Sequence, residues 1–66
     1  MQKGDWVWIG KADLSKYSRY QYDSYYADES FQERYGRVDQ VMVENVAVYV
    51  TPSLVVTFPK HQLREV

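Results

Sequence analysis

Apolar and polar positions alternate most cleanly from Val46 to Thr51, where Val46, Val48 and Val50 interleave with Ala47, Tyr49 and Thr51. That period of two predicts a strand with one buried face. Asp5-Trp6-Val7-Trp8-Ile9, closed by Gly10, sets Val7 and Ile9 on one face and Trp6 and Trp8 on the other. The aliphatic pair is expected inward, leaving the two tryptophans side by side outside and partly covered. Tyr35 to Val43 reads as the second strand, but Val38 and Val41 differ in parity, which predicts a bulge or bend near Asp39-Gln40. Glu44-Asn45 and Pro52-Ser53 are the expected tight turns. Leu54 to Phe58 is almost apolar on both parities and is expected to be covered on both faces. Pro59 to Gln62 reads as one tight turn, and Leu63 to Val66 as a short last strand. Inward parity nominates Val7, Ile9, Val38, Val41, Val48, Val50, Val56, Phe58 and Leu63 as the core.

Between the first two strands lies a connection, residues 11–34, without clear periodicity. Seven of the twenty residues from Lys16 to Tyr35 are aromatic: Tyr17, Tyr20, Tyr22, Tyr25, Tyr26, Phe31 and Tyr35. Long irregular connections in compact domains are usually functional or disordered, and disordered segments are poor in aromatics. The segment therefore reads as an ordered recognition element, because tyrosine joins a large apolar ring to a polar tip. Its charge is split. Lys11, Lys16 and Arg19 face a single acid, Asp13, in the first half, and Asp23, Asp28, Glu29 and Glu33 follow with no base between them. Residues 28–34 have room for one helical turn but are too short to predict a helix.

The expected fold is all-β: one domain over residues 1–66, five short strands closed into a small barrel, since closure removes the exposed edges of so small a sheet. A chain of 66 residues buries only about 60% of its unfolded surface, and the usual staples are missing. With no cysteine there is no disulfide or thiolate metal site, and His61 alone cannot build a zinc centre. Assembly with another protein, a larger complex or a second copy is the remaining stabiliser. Eight basic and nine acidic side chains leave a net charge of −1, which argues against bulk electrostatic binding to nucleic acid. No apolar run approaches the roughly 20 residues that span a bilayer. Met1-Gln2-Lys3-Gly4-Asp5 leads straight into a strand-like segment and reads as neither a signal nor a transit peptide. A cytoplasmic protein is expected.

Gly4-Asp5-Trp6-Val7 at the start, Gly36 and Val38 opening strand two, and Val56-Thr57-Phe58-Pro59 followed by Leu63-Arg64-Glu65-Val66 at the end resemble the SH3-like small barrels. Asp23-Ser24-Tyr25-Tyr26 adds a tyrosine pair before strand two. The nearest-looking members are photosynthetic electron-transfer accessory proteins: the SH3-like accessory subunit of photosystem I, its counterpart in the photosynthetic NAD(P)H dehydrogenase-like complex, and the variable chain of ferredoxin–thioredoxin reductase. The resemblance implies a long first loop of the RT type, one helical turn before the last strand, and a role as an accessory subunit.

Three functional readings follow from the residues. In the first, Trp6 and Trp8 with Tyr17, Arg19, Tyr20, Tyr22, Tyr25 and Tyr26 dock a protein partner without chemistry, since aromatic and arginine side chains carry most interface energy. Its bland counterpart packs the tyrosines onto Trp6 and Trp8 as a second small cluster. In the second, Lys16-Tyr17-Ser18-Arg19-Tyr20-Gln21-Tyr22 grips phosphates with its cations and stacks bases on its rings. In the third, an active site forms only at the centre of a symmetric oligomer, with Leu54 to Phe58 at the site, as in the plasmid-encoded dihydrofolate reductase type. Asp23, Asp28, Glu29 and Glu33 lack the glycine and alternating spacing of a calcium loop and read as a solvated acidic face. His61 has no second group to orient it and reads as a surface histidine. No nucleophile motif or phosphate-binding glycine loop is present. The expectation is a protein without cofactor, metal or catalytic residues.

Overall fold

Five of the alternating segments become strands of one antiparallel sheet in the computed structural model, which describes residues 1–12 and 29–66. They are β1 (Trp6–Ile9), β2 (Arg34–Val41), β3 (Asn45–Thr51), β4 (Leu54–Pro59) and β5 (Leu63–Glu65), in the spatial order β4-β3-β2-β1-β5. Short 3-10 turns occupy Glu29–Phe31, before β2, and Lys60–Gln62, before β5. The expected helical turn ahead of the last strand is therefore present. The sheet is open: β4 and β5 are its edges, and no ladder joins them among the described residues.

Alternation decides which side chains are buried. Val7 and Ile9 of β1, Val38 of β2, Val46, Val48 and Val50 of β3, and Val56 and Phe58 of β4 form one core cluster, with Ala12, Phe31 and Leu63 packed partly buried against it. Each fully buried aliphatic or aromatic side chain contributes about 1.5–3 kcal/mol. Gly36 lies opposite Val7 in the β1–β2 ladder. A Cβ there would collide with the Val48 side chain and approach the Tyr49 carbonyl to 3.0 Å and Ile9 Cδ1 to 3.1 Å. The glycine lets β1 and β3 side chains fill the space above β2.

The expected irregularity in β2 is real. Val38 pairs with Val48 and Gln40 with Ala47, leaving Asp39 as the extra residue. A second irregularity between Tyr49 and Thr51 leaves Val50 without its own ladder partner, and the Val50 carbonyl accepts a hydrogen bond from Arg34 Nη2 at 2.7 Å.

The structure corrects several expectations. Val41 keeps inward parity, opposite Val46, but is 38% exposed. The β1 ladder runs only from Arg37 back to Arg34, so the far end of β2 has β3 on one side and no strand of the described residues on the other. Val46, on the inward parity of β3 but not among the nominated core, is fully buried, because Phe58 pairs with it from β4. Leu63 is half-buried rather than buried. β4 is not covered on both faces: Val56 and Phe58 are buried, while Val55, on the opposite face, is 39% exposed with Thr57 beside it, and Leu54, on the inward parity at the start of the strand, is 41% exposed. The β2–β3 turn falls on Val43-Glu44, one residue earlier than expected, and the Met42 N–H closes it by donating to the Asn45 carbonyl at 2.8 Å.

The two ends of the long connection are tied to the sheet. The Glu33 N–H donates to the Ile9 carbonyl at 2.7 Å, with Glu33 itself in the left-handed region at φ 54°. The Ala12 N–H donates to Gln32 Oε1 at 3.1 Å. Gly10 and the buried Gln62 form a reciprocal clasp, with the Gly10 N–H donating to the Gln62 carbonyl at 2.8 Å and Gln62 Nε2 donating to the Gly10 carbonyl at 3.1 Å. This clasp anchors the last 3-10 turn to the end of β1.

Candidate functional site

With the aliphatic residues of β1 to β3 turned inward, the opposite parity carries the aromatic and cationic side chains. Trp6 pairs with Arg37 and Arg37 with Tyr49, so one row crosses three strands. A second row runs from Arg64 through Trp8 to Tyr35. Trp6, Tyr35 and Tyr49 are 54%, 58% and 38% exposed, much more than rings placed for packing alone.

Their positions are held by specific contacts. The Arg37 guanidinium carbon lies 5.5 Å from the centre of the Trp6 ring, a cation–π contact of about 0.5–1 kcal/mol at an exposed site. Arg37 Nε also donates to the Gly4 carbonyl at 3.1 Å. That carbonyl is presented by a turn in which Gly4 adopts φ 92°, a region glycine enters without a Cβ penalty, while the Gly4 N–H is tied to the Val38 carbonyl at 2.9 Å. Trp8 meets Tyr35 edge to face, with ring centres 4.9 Å apart and planes at 69°, the arrangement that ring quadrupoles favour. Between the rows and the β3–β4 turn lies an open groove of about 480 Å³, lined by Trp6, Tyr35, Arg37, Tyr49 and Pro52 among others.

Arg37 and Arg64 bring positive charge to this face, with Asp5 and Glu65 at its margin beside Trp6. Neither Arg37 nor Arg64 forms an ion pair among the described residues; the ion pairs there join Lys11 to Glu33 at 3.8 Å and the Met1 amine to Glu65. Glu65, hydrogen-bonded to that amine, raises its pKa above the ordinary value of an amino terminus. Among the described residues no group of three His, Cys, Asp or Glu side chains could hold a metal ion. No described helix is long and apolar enough to cross a membrane. The arrangement can stack planar or apolar groups and hold an oxyanion, and its residues make no pairing suited to proton transfer.

Of the residues nominated from sequence, Trp6 and Trp8 are on this face, each with its own partner rather than against the other. Tyr17, Arg19, Tyr20, Tyr22, Tyr25 and Tyr26 lie outside the described residues. Tyr35, Arg37 and Tyr49 belong to the face and were not among the nominated set. Strand parity was the available signal: Tyr49 alternates with the buried valines of β3, and Tyr35 and Arg37 alternate with Gly36 and Val38.

No family model, curated protein or solved structure matches this chain. Its described residues are all-β, with five antiparallel strands in one sheet.

Proposed function

We propose that this chain is a non-enzymatic protein-binding module or small cytoplasmic accessory subunit, built as an SH3-like small barrel and docking through the outer face of β1, β2 and β3. The row Trp6–Arg37–Tyr49, exposed beside Tyr35 and an open groove, is the observation that carries this reading. Tryptophan, tyrosine and arginine are the residues in which interface energy concentrates. Their fixation by neighbouring contacts lowers the side-chain entropy lost on binding. The strand order β4-β3-β2-β1-β5, a long first connection, two tight hairpins and a 3-10 turn before the last strand support the SH3-like part. Tyr17, Arg19, Tyr20, Tyr22, Tyr25 and Tyr26 are proposed to contribute to the same contact. The partner buries the rings, the arginines orient it, and no bond is made or broken.

A second reading draws on the same face, because rings interleaved with arginine also suit single-stranded nucleic acid. Salt separates the two. A nucleic-acid complex weakens steeply with added salt through counterion release, whereas a ring-centred protein interface weakens little. The experiment is capture from an extract of the native host on immobilised wild-type chain and on a Trp6→Ala/Tyr49→Ala variant, at low and high salt. A protein retained by the wild type at both salts and lost with the variant is the expected result. Equal retention by both chains overturns the reading.

A further inference from the structure

The two edges of the sheet are guarded very differently. An edge strand offers a row of unpaired backbone donors and acceptors, and proteins protect it with short length, charge, proline or a bulge. β5 has three residues, two of them Arg64 and Glu65, and Glu65 carries the Met1 amine. β4 has six, Leu54–Pro59, and no charged side chain occurs from Val50 to Pro59. Leu54, Val55 and Thr57 are exposed along it. Among the described residues Pro59 is its sole guard of these kinds, and it sits at the far end of the strand.

We propose that β4 is a self-association edge, pairing antiparallel with β4 of a second copy of this chain about a two-fold axis near Val55 and Val56. An isologous pair sets the same uncharged residues against themselves, so apolar burial by Leu54 and Val55 adds to the new ladder on both copies. The nearest cation on the strand path, Lys60, is kept about 30 Å from its counterpart at ~3.4 Å per residue, beyond the reach of repulsion at physiological salt. The outer-face row that pairs Tyr49 with Val55 then continues across the axis. Because β5 is short and charged, the assembly closes at two copies instead of growing into a fibre. A single strand pair is smaller than a standard interface of roughly 800 Å² per partner, so the dimer forms in a concentration-dependent way. This inference is independent of the docking face, which lies on β1 to β3.

Sedimentation velocity of the purified chain, from low-micromolar to near-millimolar concentration, is the test. The wild type is expected to pass from monomer to dimer and no further. Val55→Lys, on the exposed parity, is expected to raise the dissociation constant about tenfold or more by placing like charges across the axis. A substitution on the other edge, Arg64→Gln, is expected to leave it unchanged. Hydrogen exchange of wild-type β4 amides adds a readout independent of any variant's folding: protection should rise with concentration. A wild type that stays monomeric throughout, a Val55→Lys chain that dimerises equally well, or β4 exchange independent of concentration overturns the proposal.

Discussion

Gly36 and Arg37 sit side by side in β2 and have opposite duties. Gly36 leaves room under the sheet for Val48 and Ile9, so Gly36→Ala forces a shift in the core and is expected to cost about 1–3 kcal/mol of stability. Denaturant unfolding of the variant measures it, and a loss below experimental error contradicts the close approach of the three strands. Arg37 points the other way, over Trp6. Arg37→Ala removes an exposed contact and a hydrogen bond to the Gly4 carbonyl, so its cost in folding stability is about 1 kcal/mol or less. Its expected effect on partner affinity is larger, about 2 kcal/mol, as for an arginine at the centre of an interface. Isothermal titration of the captured partner against both chains reads that difference.

The strands differ in how plainly the sequence announces them. β3 was legible as a strand from its three alternating valines, all buried, although Val46 is not in the nominated core and Ala47, on the other parity, is buried as well. β1 was legible in parity, and in extent to within one residue, since it begins at Trp6 rather than Asp5. The bulge in β2 showed as a parity conflict between Val38 and Val41. What the sequence did not disclose is where each strand loses its neighbour, because that depends on the lengths of the strands beside it. Val41 is exposed for that reason: the β1 ladder stops opposite Arg37 and leaves only β3 beside it. The candidate site was half legible. The tryptophans stood out as a pair, whereas Tyr35, Arg37 and Tyr49 come together only once the β1–β2–β3 register is known. Paired substitutions test the corrected register. Val48→Ala should cost about 1–3 kcal/mol through lost burial and the cavity left behind. Val41→Ala, at an exposed strand end, should stay within about 0.5 kcal/mol. Comparable losses at both positions, read from thermal melts, would restore Val41 to the core.

At the scale of the whole molecule, one sheet separates two chemistries. Its inner side holds the aliphatic cluster that stabilises the chain, and its outer side presents rings and guanidinium groups at the surface. The outer side is the proposed docking surface, and Trp6 and Trp8 are the chain's two tryptophans. Both report on the face itself. The most direct measurement is therefore acrylamide quenching of tryptophan emission in a Trp8→Phe chain, whose sole reporter is Trp6, free and bound to its captured partner. Strong quenching is expected in the free chain, in keeping with the exposure of Trp6, and a marked loss of quenching with a blue-shifted emission in the complex. A bound chain whose Trp6 remains as accessible as in the free one places the contact elsewhere and rules out docking on the outer face.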